Sequence, residues 1–225
     1  SAEMLTLGTQ KRSSFRLAAE MDGMGAILSA YAGWNVTSLH ISGLSEDLER
    51  LLELLREIYA EPAHAPAEFE QLKQRRIGQL IQQKDESQII ADERFQQMLF
   101  QGTPYDHPAY GTLESLPGLT IEDVREFYRN SFLAPGSFLV LVGDLSPDRC
   151  LPWVEGIFPD LGRKSPEVRE FSPSPSRGIR TRIVDRPDLT QSQIRLGHMG
   201  IPFAHPGYIP FEVMNYILGG GGFSS

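Results

Sequence analysis

The chain has 225 residues, 40% of them hydrophobic, which is enough apolar content for a sizeable core. No apolar run approaches the ~20 residues of a membrane span. A formal charge of −8 argues against a phosphate-binding surface and hence against a nucleic-acid partner; the nearest basic group, Lys73, Arg75 and Arg76, reads as the solvated face of a helix.

In chain order, residues 2–7 read as the tail of a helix broken at Gly8. There is no initiator Met, so the sequence is expected to be a fragment or a processed piece. Ser13 or Ser14 is placed to cap a second helix reaching Met21, with Phe15, Leu17, Ala18 and Met21 turned inward. Residues 27–42 are rich in β-branched and aromatic side chains and predict two strands or one bulged strand, with Gly33 marking a bulge or a close backbone approach. Ser45 is a candidate N-cap with Glu46 and Asp47 behind it, and the stripe Leu48, Leu51, Leu52, Leu55, Ile58 and Tyr59 runs to a stop at Pro62.

The longest unbroken helical pattern spans 67–85, where Phe69, Leu72, Ile77, Leu80 and Ile81 recur at helical spacing. Its buried face is expected to carry Gln79 as well. Another helix is predicted over 87–100, ending at Gly102 and the turn 103–111. Thr120 with Asp123 forms a capping box for a helix over 121–130, and 137–142 reads as a buried strand. Ser146-Pro147 opens a short helix in the cap-then-Pro order. Residues 160–177 alternate Pro and Ser and read as a linker, followed by strands over 179–185 and 192–198 and a helix over 208–218 stopped at Gly219. Helices gathered between strands predict α+β layers rather than alternating β-α-β units.

Most self-sufficient chemistry is excluded. The five histidines, His40, His64, His107, His198 and His205, include no i, i+3 or i, i+4 pair, so no local zinc motif is present. Cys150, the single cysteine, excludes an internal disulfide framework, leaves the compartment open, and has no activating base nearby in sequence. The glycine run 219–222 follows its helix instead of preceding one, which fits a helix stop and not a phosphate cradle.

Several stretches in a fixed order carry a resemblance: EMLTLGTQKRS at 3–13, the strand-like segment 29–37, YDHPAYGTLESL at 105–116, and FLAPGSFLVLVGDLS at 132–146, then VDRPDLTQSQIRLG at 184–197 and YILGGGGFSS at 216–225. Together they resemble the M16 metallopeptidases, the family of insulysin, pitrilysin and the mitochondrial processing peptidase. The resemblance implies a LuxS/MPP-like layered α/β domain over 1–160, a linker over 161–178, and the beginning of a second such domain over 179–225. In that family two such units form half of a clam-shaped chamber, and the catalytic half holds zinc through an inverted H-x-x-E-H helix and a distant Glu.

The second His of that motif directly precedes the Met-Leu that here is Met4-Leu5. The resemblance therefore sets Glu3 at that His, Ala2 at the general-base Glu, and Gln79 at the distant Glu. An alanine and a neutral amide supply neither the base nor the charge that a hydrolytic zinc requires. The implied protein has no cofactor of its own; it pairs with a catalytic M16 sibling that holds the zinc. Extended peptide would add as a strand at 29–37, through Ser29, Ala30, Tyr31 and Ala32, with Ser29 at the Asn of the family's Asn-Ala pair; the alternative is a strand that only covers the core. Gly219, Gly220, Gly221, Gly222 and Phe223 resemble the substrate-guiding loop of noncatalytic partners, and the alternative there is a plain helix cap. Two rival functions stay open: an active zinc metalloendopeptidase whose ligands the alignment misplaces, and a structural assembly subunit like the respiratory core proteins.

Overall fold

The structure is a computed structural model and describes residues 2–132, 137–158, 171 and 178–220. Its centre is α2, Leu48–Ala60, in which Leu51, Leu52, Leu54, Leu55 and Ile58 are all buried. The predicted stripe omits Leu54, because leucines on both flanks give this helix an apolar arc wide enough to pack on two sides. Leu51, Leu54 and Ile58 meet Leu5, Leu17, Met21, Ala26 and Tyr128, whereas Leu52 and Leu55 meet Phe158. Trp153 and Val154 pack on that second cluster from α6, Pro147–Ile157.

A two-stranded antiparallel hairpin covers the first flank of α2. β1, Ile27–Ala32, pairs with β2, Thr37–Ser42, in the register Ser29 opposite His40 and Tyr31 opposite Ser38. Leu28, Leu39 and Ile41 point at the core, so alternate residues are inward, as a half-buried strand requires. Gly43 lets the chain turn tightly onto α2, since a Cβ there would lie 2.8 Å from a Leu51 methyl.

The opening segment, Ala2–Thr6, is a tight 3-10 turn that joins two cores: Leu5 enters the first cluster, while Met4 packs with Phe69, Ile121 and Val124. That second set brings together α3, Pro66–Gln83, and α5, Ile121–Phe127. The capping box of α5 is present as predicted, with the Thr120 hydroxyl accepting from the Asp123 N–H and the Asp123 carboxylate accepting from the Thr120 N–H. α1, Ser14–Gly23, is capped by Ser13, whose hydroxyl accepts from the Arg16 N–H. α4 spans Ser87–Leu99 and α7 spans Tyr208–Asn215. None of the described helices is long and apolar enough to cross a membrane.

A partly buried ion network fixes the loop between the opening turn and α1. The Arg12 guanidinium bridges Glu20, at 2.8 Å, and Glu57, and Glu20 also accepts from Arg50. Burial alone would raise the Glu20 and Glu57 carboxyls, but hydrogen bonds from Arg50 and Arg12 to Glu20, and from Arg12 and Thr9 to Glu57, hold both below the usual range.

Several sequence expectations fail for identifiable reasons. Phe15 and Ala18 are exposed, because α1 touches the core along the narrow line of Leu17 and Met21. Ser45 opens a short 3-10 turn and makes no side-chain cap; the helix itself begins at Leu48. Among the described residues, the strands expected over 137–142, 179–185 and 192–198 form no ladder. Over 137–142, Leu139 and Leu141 rest on the core, but Phe138, Val140 and Val142 face solvent, so the segment is extended without being a buried strand. Most of the expected linker, 161–178, lies outside the described residues.

Candidate functional site

The opening turn, which carries Ala2 and Glu3, packs against α3, which carries Gln79; these are the three positions at which the sequence predicts a lost metal site. Ala2 is buried beside Leu5, His64, Phe127, Tyr128 and Phe132, around a cavity of 10 Å³. That volume is at the lower limit for one water, and Ala2 is buried among apolar and aromatic side chains and the His64 ring. Tyr128 is one of them: its hydroxyl donates to the Tyr59 carbonyl, and burial pushes its phenol up to about 12. His64 meets Tyr128 edge-on at 4.9 Å, and its pKa is lowered by burial and by the Arg125 guanidinium, which donates to the His64 carbonyl at 3.1 Å.

Glu3 is not a free, solvated helix-end carboxylate. It is paired with Arg76 of α3, whose guanidinium carbon also lies 5.3 Å from the centre of the Tyr110 ring. Lys73, one turn earlier, donates to the Leu119 carbonyl at 3.1 Å, pairs with Glu70, and sits over the Phe69 ring. The basic group read as a solvated face is thus largely folded into the protein through Lys73 and Arg76. Sequence spacing held a signal for this, since Arg76 is three residues before Gln79 and helical neighbours at i, i+3 share a face.

Gln79 is exposed, contrary to the expected buried face. Phe69 and Leu80 are the buried residues of α3, and Ile81 is 55% exposed. One residue of a helix turns the side chain through about 100°, so a helix that seats Leu80 inward must carry Gln79 to its flank.

The donor set does not fit zinc. Ala2 offers no donor, Gln79 only a neutral amide, and the one carboxylate, Glu3, already holds a guanidinium. Among the described residues no three His, Cys, Asp or Glu side chains converge as a metal site.

β1 lies against the opening turn, so the candidate peptide-binding strand and the altered metal seat are neighbours. Among the described residues β1 pairs only with β2, and its exposed side chains are Ile27, Ser29 and Tyr31, with Ala30 and Ala32 half-buried. The hairpin tip is latched to the 103–111 turn, which sequence reasoning missed. Trp34 packs 5.7 Å from Tyr105 and 5.4 Å from His107, and the Tyr105 hydroxyl donates to Asn35 at 2.7 Å. Gly219 and Gly220 end the π-helical turn Tyr216–Gly220 that follows α7, with Gly219 at φ 146°, a conformation glycine adopts readily. Gly221, Gly222 and Phe223 lie outside the described residues.

Comparison with known proteins assigns the class. Residues 2–113 match the family model described as insulinase, peptidase family M16, and residues 118–225 match the model described as the peptidase M16 inactive domain. The chain belongs to the M16 peptidase family. It is 29% identical over 216 residues to cytochrome b-c1 complex subunit 1 of Bos taurus, covering 94% of this chain and 44% of that protein. It is 26% identical over 218 residues to an uncharacterized zinc protease of Rickettsia felis, covering 97% of this chain and 52% of the relative. The chain therefore spans about half the length of these relatives. Its fold matches the crystal structure of a peptidase M16 inactive domain from Pseudomonas fluorescens, with a TM-score of 0.81 at 21% identity, over 100% of this chain and 54% of the other. The layered α+β architecture expected from the order of elements is the one this neighbour has.

Proposed function

We propose that this chain is a noncatalytic M16 subunit, which holds no zinc and forms a peptidase chamber with an active, zinc-bearing sibling. The observation that carries the reading is the altered seat: Ala2 is buried among apolar and aromatic groups, and Glu3 is paired with Arg76. Without a carboxylate to accept a proton from water, such a site has no general base. What remains for the chain is substrate handling. The side of β1 that pairs with no other described strand, at Ser29, Ala30, Tyr31 and Ala32, offers main-chain donors and acceptors to an extended peptide, and Gly219 to Gly222 with Phe223 serve as the guiding loop. In this reading residues 1–160 are the first unit, 161–178 the linker, and 179–225 the opening of the second.

The test is metal content and peptide cleavage of the purified chain, alone and mixed with a zinc-bearing M16 sibling. The expected outcome is no stoichiometric zinc and no cleavage alone, with chelator-sensitive cleavage in the mixture. Stoichiometric zinc and chelator-sensitive cleavage by the chain alone would overturn the proposal in favour of an active metalloendopeptidase.

A second reading, a purely structural assembly subunit, is favoured by the bovine relative, which is named as a subunit of a larger complex. Proline at Ser29 and at Ala30 separates the two readings, because N–H groups of adjacent strand residues point to opposite edges. In the substrate-handling reading, the proline that removes the outward N–H abolishes peptide binding by the mixed complex and leaves the hairpin intact. Unchanged binding by both variants supports the structural role.

A further inference from the structure

We propose that the Arg76 guanidinium is the resident cation of the altered metal seat, a permanent substitute for the charge that a divalent metal would place between the opening turn and α3. The inference takes from the noncatalytic reading only the identity of the seat. A metal site of this kind does two things, chemical and mechanical: it polarises water, and it ties the segment bearing Ala2 and Glu3 to the helix bearing Gln79. The chemical task is gone with the base. The mechanical one persists in another form.

Glu3 and Arg76 span the same two segments, 73 residues apart in sequence, through a charge-assisted hydrogen bond. The Arg76 side chain is 25% exposed and that of Glu3 43%, so the pair is partly shielded from water. Tyr110 lies against the guanidinium and limits where it can swing. A guanidinium suits this post because it stays charged at any physiological pH and its planar fork matches a carboxylate. It also bars a metal. A positive charge one helical turn from position 79 repels a divalent cation, and it competes for whatever ligand stands at position 3.

Two measurements test the proposal. The first is a double-mutant cycle, E3Q, R76M and E3Q/R76M, read by hydrogen exchange at the Leu7 and Thr9 amides, which bond within and just after the opening turn, to the Met4 and Arg12 carbonyls. Each single variant is expected to speed exchange about tenfold, and the double variant no more than the worse single, the mark of coupled residues. Fold-changes that multiply would overturn the pairing. R76K, which keeps the charge but loses the planar fork, is expected to exchange more slowly than R76M; exchange as fast as in R76M would overturn the charge role.

The second measurement is zinc affinity, by competition with a chromogenic chelator, of E3H/Q79E and of E3H/Q79E/R76M. Removing Arg76 is expected to tighten zinc at least about tenfold, the scale of a close like-charge repulsion. Equal affinities would overturn the claim that Arg76 holds the metal's place. Circular dichroism confirms that each variant is folded. Zinc in the natural chain would defeat the noncatalytic reading, whereas an additive cycle defeats only this inference.

Discussion

Residues 27–42 and residues 179–198 carry the same kind of sequence, two runs of β-branched and apolar residues joined by a short polar connection, yet among the described residues only the first pair forms a ladder. In 27–42 Leu28, Leu39 and Ile41 pack on the core around α2, and Trp34 at the hairpin tip packs on Tyr105 and His107. In 179–198 the apolar side chains remain in water: Ile179, Ile183, Ile194 and Leu196 are 80–98% exposed. That segment is held instead by arginines reaching to α4 and to the end of α3. Arg195 pairs with Asp92, Arg180 donates to the Met98 carbonyl, and Arg186 donates to the Lys84 carbonyl at 3.0 Å. Strand propensity is permissive, and burial of one face decides whether a strand pairs.

The contrast is most sharply tested at its apolar centre. Ile58, with no exposed surface, is shared by the helices and the hairpin side of the first region, so Ile58→Ala is expected to cost about 2–5 kcal/mol in a chemical-denaturation measurement. A loss below about 1 kcal/mol would show that the first region does not depend on this core, and would remove the difference between the two regions.

A smaller effect comes from the boundary of the same core. The pKa of His64 is lowered by burial and by Arg125, so the folded chain resists a proton that the unfolded chain accepts near pH 6.5. Unfolding then takes up a proton, and this contribution to stability is lost as pH falls through and below about 6.5, well before the depressed carboxylates Glu20 and Glu57 lose theirs as they protonate. His64→Asn, which tolerates the backbone φ of 42° at this position, is expected to flatten the slope of stability between pH 7.5 and 5.5. An unchanged slope would assign the acid sensitivity elsewhere.

The smallest effect is expected in the second region. Leu196→Ser should change stability by no more than about 0.5 kcal/mol, because the side chain is 98% exposed. A loss above about 1 kcal/mol would show that this face is covered in solution and would break the contrast with 27–42.

Local rules that need few partners were legible in the sequence. The capping box at Thr120 and Asp123, the Ser13 cap, the Pro147 start and the glycine stop of the last helical segment depend on groups within four residues of one another, and all four stand where the spacing puts them. The family was legible too, because its motifs are short stretches in a fixed order. The altered metal seat was only partly legible. Its residue types could be read off, but Gln79 was expected on the buried face and Arg76 on a solvated face, and both depend on what α3 packs against.

By itself the sequence determined the approximate helix positions, the caps of α1 and α5, and that Ala2 and Gln79 offer no base and no charge. Only the tertiary structure decided that Leu54 is core, that among the described residues 27–42 pair as strands while 179–198 do not, and that Arg76 reaches Glu3 across the chain. The physical reason is range. Caps and turns are settled by hydrogen bonds between near neighbours, whereas burial and ion pairing depend on which distant segment arrives opposite, and a sequence pattern leaves several faces able to receive it.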